Sequence, residues 1–141
     1  LVAMGLWREI GPFGRLRVQH RDRVAAAISA VGLEGFERRS IGALSGGQMQ
    51  RALFARLLLQ NARLVLLDEP FTAIDLRTMA DLLGIVQRWH GEGRTVLAVL
   101  HDLETVRTHF PETLMLAREL VAHGSTAEVL TPANQLRARD G

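Results

Sequence analysis

Leu64-Val65-Leu66-Leu67-Asp68-Glu69-Pro70-Phe71-Thr72-Ala73-Ile74-Asp75 decides how this chain folds. Four apolar residues run without alternation and stop at two acids and a proline. A short unbroken run of this kind reads as a strand buried on both faces, as in a parallel sheet covered by helices. Asp75 stands where a helix N-cap belongs, and Met79, Leu82, Leu83, Val86 and Trp89 follow at helical spacing. That pattern predicts a helix of about 14 residues ended by Gly91 or Gly93. A second apolar run, Thr95–Leu100, halts at His101-Asp102. Strand, helix and strand with short links form a βαβ unit, whose right-handed crossover makes the strands parallel.

In an open parallel sheet, ligands bind beyond the carboxyl ends of the strands. Both runs end there in polar residues, Asp68-Glu69 and His101-Asp102, on one rim. Adjacent carboxylates suit metal-assisted phosphoryl transfer. One can hold Mg²⁺, which takes oxygen ligands and keeps much of its water. The other can orient or deprotonate the attacking water. A histidine across the rim could hydrogen-bond a terminal phosphate. Each feature taken singly also has a plain structural reading: Asp68-Glu69 as a solvated turn before Pro70, His101 as a structural hydrogen-bonding group.

Upstream, Leu44-Ser45-Gly46-Gly47-Gln48 opens a helix from roughly Gln48 to Gln60, with Met49, Ala52, Leu53, Arg56 and Leu57 at i, i+3, i+4 spacings and Asn61 as the stop. Ser45 sits at the cap. Two glycines at a helix start let the backbone approach a ligand, and the free N–H groups with the positive helix end make an anion site. A flexible Ser-Gly-Gly linker is the alternative. Further upstream, Val24, Ile28 and Val31 place a helix over His20–Val31 with Gly32 as its C-terminal cap, while Gly5, Gly11, Pro12 and Gly14 break residues 1–19 into short helix and loop. Downstream, Leu103–Phe110 reads as a short helix closed by Pro111, and Thr113–Ala117 with Leu120–His123 as a hairpin. Ser125-Thr126-Ala127-Glu128 has capping-box spacing, and Thr131-Pro132 starts a last helix.

The 141 residues are 48% apolar and 23% charged, the balance of a soluble globular chain. There is no cysteine, which excludes disulfides and thiolate metal sites. No apolar run approaches the roughly 18–20 residues that span a bilayer, so no direct transmembrane segment is expected. Nothing at the N-terminus has the pattern of a signal peptide. All 17 basic side chains are arginine, so chemistry that needs a lysine ammonium cannot come from these residues. Residues 1–63 carry ten Arg against four acids, and residues 64–141 carry seven Arg against eleven acids. A basic half suits an anionic membrane surface, nucleic acid or an acidic partner, and equally a solvated arginine face.

Taken together and in order, Leu44–Gln48, the run Leu64–Glu69, Asp75 and His101 resemble the C-terminal two-thirds of an ATP-binding-cassette (ABC) ATPase: signature motif, Walker B strand with its glutamate, D-loop and switch histidine. The resemblance covers nearly the whole chain. It implies an α/β fold: part of a P-loop NTPase (RecA-like) parallel sheet with the ABC α-helical subdomain. Residues 1–61 would hold the helical subdomain with the signature motif and its helix, and 62–141 the C-terminal part of the ATP-binding core. In this family two such domains pair head to tail, with each ATP between the Walker A loop of one and the signature motif of the other. Carried over by position, Ser45, Gly46, Gly47 and Gln48 would face the partner's γ-phosphate, Asp68 would support Mg²⁺, Glu69 would be the general base, Asp75 would cross the dimer interface and His101 would contact the γ-phosphate.

The departure is the Walker A loop, G-x-x-x-x-G-K-[ST], which needs a lysine. With Leu1 in place of Met, the sequence is expected to be an incomplete copy, inactive alone. The stretch Asp68–Asp75 and the Thr131-Pro132 pair look most like importers of zinc or manganese. The resemblance then implies ATP and Mg²⁺ as cofactors, a membrane permease docking on residues 1–43, a cytoplasmic location against the cell membrane, and no nucleic acid. Two alternatives are a non-transport ABC protein acting on nucleic acid or the ribosome, and a non-catalytic remnant that lends Ser45–Gln48 to an intact partner.

Overall fold

The computed structural model describes residues 1–11 and 13–140; Pro12 therefore lies outside the described residues. The chain forms two compact units, residues 1–99 and 100–141.

The first unit opens with a 3₁₀ turn (Val2–Leu6) and one turn of helix, α1 (Trp7–Ile10), then α2 (Val18–Ala30) and α3 (Gly46–Gln60). Strand β1 (Leu64–Asp68), helix α4 (Leu76–Gly91) and strand β2 (Thr95–Val99) complete it. β1 and β2 pair in parallel, with Leu64 opposite Thr95 and Asp68 opposite Val99. This is the βαβ unit the apolar runs require. Helix α2 starts two residues before the expected His20, and Gly32 after it has φ of +69°. Asn61 ends α3 in the left-handed conformation (φ 48°), which asparagine tolerates better than most residues. Gly93, rather than Gly91, takes the positive φ that ends α4.

Two expectations need correcting. The unbroken apolar runs predict strands buried on both faces, yet the burial of β1 and β2 alternates. Val65 and Leu67 are buried, whereas Leu64, Leu66, Leu97 and Val99 are each more than half exposed. Only one face of this two-stranded sheet has a cover among the described residues. The core face of α3 is also displaced: Ala52, Phe54, Ala55 and Leu59 are its buried residues, not Met49, Leu53 and Leu57. The helix packs against the N-terminal 3₁₀ turn and α2 as well as α4, so its apolar contact surface is wider than a single stripe. Gly5 permits the closest of these approaches. A Cβ there would lie 2.3 Å from the Arg56 carbonyl oxygen and 2.7 Å from Leu59 Cβ, so this glycine serves packing rather than chain breaking.

The core of the unit centres on Trp89 and Phe54, each 1% exposed, whose rings stack with centroids 5.6 Å apart. Helix α4 supplies the rest of its inner face from Leu82, Leu83, Ile85 and Val86.

The second unit holds α5 (Leu103–His109), an antiparallel pair β3 (Glu112–Leu116) and β4 (Leu120–Ser125), α6 (Thr126–Val129) and α7 (Pro132–Asp140). The hairpin is as expected, with a register irregularity at Met115/Leu116. Ser125 does not cap α6. Its hydroxyl donates to the Glu128 carboxylate (2.6 Å) instead of accepting a backbone N–H, so the two residues of the expected capping box bond to each other and not to the backbone. Thr131 does cap α7, accepting from the Asn134 N–H at 3.3 Å, with Pro132 at the first helical position.

Candidate functional site

Helix α3 begins in a complete capping box. Ser45 Oγ accepts from the Gln48 N–H (3.3 Å), and Gln48 Oε1 accepts from the Ser45 N–H (3.0 Å). Gln48, expected to face a phosphate, thus turns its amide oxygen back on its own cap. The N–H groups of Gly46 and Gly47 remain as first-turn donors at the positive end of a 15-residue helix. Neither glycine has a positive φ, and a Cβ at either would meet only ordinary contacts of 3.5 Å or more. The fold therefore has no steric need for glycine at these two positions. What a side chain would obstruct is access to the N–H groups.

The nearest neighbours of these glycines lie in the link between β1 and α4 and in the first turn of α4, at Thr78. A Cβ on Gly46 would stand 3.5 Å from the Ala73 carbonyl oxygen, and one on Gly47 would stand 3.7 Å from Asp75 Oδ2. Tertiary packing thus brings Gly46 and Gly47 beside Asp75. Asp75 caps α4, accepting the Thr78 N–H (2.9 Å) and the Thr78 hydroxyl (2.7 Å). Those two bonds, the backbone one first, hold its carboxyl below the ordinary value of 3.8. A lowered carboxyl contributes stability that is complete above the ordinary value and lost as pH falls through the lowered one. The melting-temperature gap between wild type and Asp75→Ala should accordingly be constant near neutrality and narrow below pH 3.8 in an acid titration.

Asp68 ends β1 with an exposed side chain, and Glu69 follows half-buried. The Glu69 N–H donates to the Val99 carbonyl (3.1 Å), extending the β1–β2 ladder by one bond. Its φ is +44°, a left-handed setting that costs a non-glycine residue about 1–2 kcal/mol. Thr72 holds the carboxylate from within the turn, its hydroxyl donating to Glu69 Oε2 at 3.2 Å. Ala73 is left-handed too, at φ +57°. Alanine carries no sequence signal for that conformation, so this second strained residue was invisible beforehand. Strain concentrated in a seven-residue link is a mark of functional segments.

No cluster of three His, Cys, Asp or Glu able to hold a metal occurs among the described residues. Mg²⁺ does not need one, since it binds through one or two carboxylates with waters and substrate phosphates. The exposed Asp68 carboxylate fits that demand. His101 lies in the second unit, one residue before Asp102, which caps α5 through the Glu104 and Thr105 N–H groups (3.2 and 3.1 Å). The Thr105 hydroxyl, then those N–H groups, hold the Asp102 carboxyl below its usual range.

A cleft of about 360 Å³ opens elsewhere in the first unit, lined by Met4, Gly5, Trp7, Arg8, Arg56 and Gln60. It includes none of the candidate residues.

Residues 5–72 match the protein family described as ABC transporter. Over 94% of its length the chain is 40% identical to the manganese transport system ATP-binding protein MntB of Halalkalibacterium halodurans, covering 53% of that protein. It is 41% identical to a probable metal transport system ATP-binding protein of Chlamydia trachomatis serovar D, over 93% of this chain and 51% of the relative. The chain thus spans about half the length of the curated relatives it matches. A solved inward-facing ABC transporter described as of the metal-chelate type superposes with a TM-score of 0.87 at 30% identity, over 97% of this chain and 55% of the other. The ATP-binding cassette MJ1267 shares the fold at 22% identity, with a TM-score of 0.79.

Proposed function

We propose that this chain, similar to the ABC transporter family over residues 5–72 and sharing the α/β P-loop NTPase fold of solved ABC ATPases, is the signature- and carboxylate-bearing part of a metal importer's ATP-binding subunit, manganese or zinc being the cargo. The observation that carries the reading is the packing of the Gly46–Gly47 helix start against Ala73 and Asp75, in the link that begins with Asp68-Glu69. Gly46 and Gly47 offer N–H donors to the γ-phosphate of an ATP held by a second subunit paired head to tail. Asp68 supports Mg²⁺, Glu69 orients and deprotonates water, Asp75 meets the partner subunit, and His101 senses the γ-phosphate. Residues 1–61 act as the helical subdomain that meets the permease, and 62–141 as part of the ATP-binding core. The assembly sits on the cytoplasmic side of the membrane through the permease. No helix among the described residues is long and apolar enough to cross a membrane.

The test is ATP-driven accumulation of metal in sealed vesicles holding the full-length subunit and its permease. Manganese or zinc uptake that requires ATP supports the reading, and ATP turnover without movement of either metal overturns the cargo. Gly47→Ala gives a second check, because its effects should have opposite signs. Alanine favours the helix by about 0.5 kcal/mol over glycine. Its methyl group stands where a phosphate would approach the N–H groups. Thermal melting should hold or rise while ATP turnover falls by roughly tenfold or more, comparable to the loss of one oxyanion-type donor.

A further inference from the structure

One side chain ties together the pieces of this site that the sequence keeps far apart. Arg51 lies one turn beyond Gly47 on α3, so its side chain shares the face of that glycine. It is only 15% exposed and reaches three acceptors on two other elements. One guanidinium nitrogen donates to the Val31 carbonyl just past α2 (2.9 Å). The other donates to Thr78 Oγ1 (3.3 Å) and to Asp81 Oδ2 (2.7 Å), both on α4. Thr78 is itself 6% exposed, and its hydroxyl proton goes to Asp75 Oδ2. A Cβ on Gly47 would stand 3.5 Å from that same Thr78 oxygen. The hydroxyl thus joins the Asp75 carboxylate to the Arg51 guanidinium immediately beside Gly47.

We propose that Arg51 is a positioning residue that locks the Gly46–Gly47 helix start and Asp75 into one rigid piece through Thr78, so that a phosphate on the glycine N–H groups and the setting of Asp75 bias each other. The roles of those two ends rest on the ATPase reading above; the lock itself does not. A guanidinium suits this task because its planar fork presents donors in fixed directions. Lysine, a single point of charge, reaches fewer of the three acceptors. Coupling through such a lock is reciprocal: whatever orders one end orders the other.

Hydrogen exchange on the full-length protein tests the lock without reference to catalysis. Arg51→Gln should speed amide exchange at residues 45–48 and 75–78 together by roughly tenfold, the equivalent of one hydrogen bond to a charged group. Thr78→Val keeps the shape and removes only the hydroxyl, so it should reproduce the paired effect even if Arg51→Gln proves unstable. In turnover, both variants should lower kcat by about tenfold with KM for ATP unchanged, and the double variant should cost no more than one of them. Arg51→Lys should fall between. Exchange that rises only near Val31, or additive losses in kcat, would overturn the proposal. Turnover insensitive to Glu69→Gln would instead sink the ATPase reading, and the exchange result would still decide the lock.

Discussion

On the proposed ATPase reading, Glu69→Gln should lower ATP turnover of the full-length protein by about 10²–10⁴-fold, the range a positioned general base contributes. Glutamine has the same length and keeps an oxygen to accept the Thr72 hydroxyl that now reaches Glu69 Oε2. The backbone bond from residue 69 to the Val99 carbonyl does not involve the side chain. Melting temperature should therefore move little, and ATP affinity should persist, while the chemical step collapses. The left-handed φ of Glu69 sharpens the expectation. A residue held in a costly conformation aims its side chain by backbone geometry, and that aim survives the change of one oxygen to an amide. Turnover within a few-fold of wild type would assign the base elsewhere, with Asp68 the next carboxylate in the chain. Turnover lost together with the fold would mean the turn, rather than the proton transfer, had been broken.

Trp89→Ala has the largest expected effect on stability, a loss of about 3–5 kcal/mol measured from denaturant midpoints. Trp89 is fully enclosed and stacks on Phe54, so its removal leaves a cavity between α3 and α4 that neither helix can fill without shifting. Against a total stability of about 5–15 kcal/mol for a domain, that loss leaves the unit marginal. The Trp89 indole N–H has no hydrogen-bond partner among the described residues, and the Arg94 guanidinium sits 5.9 Å from the ring centroid. Trp89→Phe retains an aromatic ring against Phe54 and deletes the unpartnered N–H, so it should cost much less than alanine. Phe54→Ala and Trp89→Ala combined should fall short of additivity by about 0.5–1.5 kcal/mol, the worth of the aromatic pair. Strict additivity would show that the stacking contributes nothing beyond burial.

Local chemistry carries most of what the sequence says about this fold. The Ser45 cap, the Asp75 cap, the Asn61 stop and the parallel pairing of Leu64–Asp68 with Thr95–Val99 all follow from residue types and spacings. These features depend on hydrogen bonds within a few residues, or on the short crossover of a βαβ unit, and so they are written locally. The same logic missed the alternating exposure of β1 and β2, because an apolar run specifies which residues can be buried and not whether an element arrives to cover them.

By itself, then, the sequence determined the elements, the two carboxylates at the end of β1, the glycines at the start of α3 and the family resemblance. Only the tertiary structure decided that Gly47 lies beside Asp75 and Thr78, that Gly5 admits α3 at contact distance, and that Arg51 joins three elements. The reason is one of range. Caps and periodicities are set by neighbours along the chain. The partners of Arg51 stand 20, 27 and 30 residues away, and nothing in the residue types selects them until the helices pack.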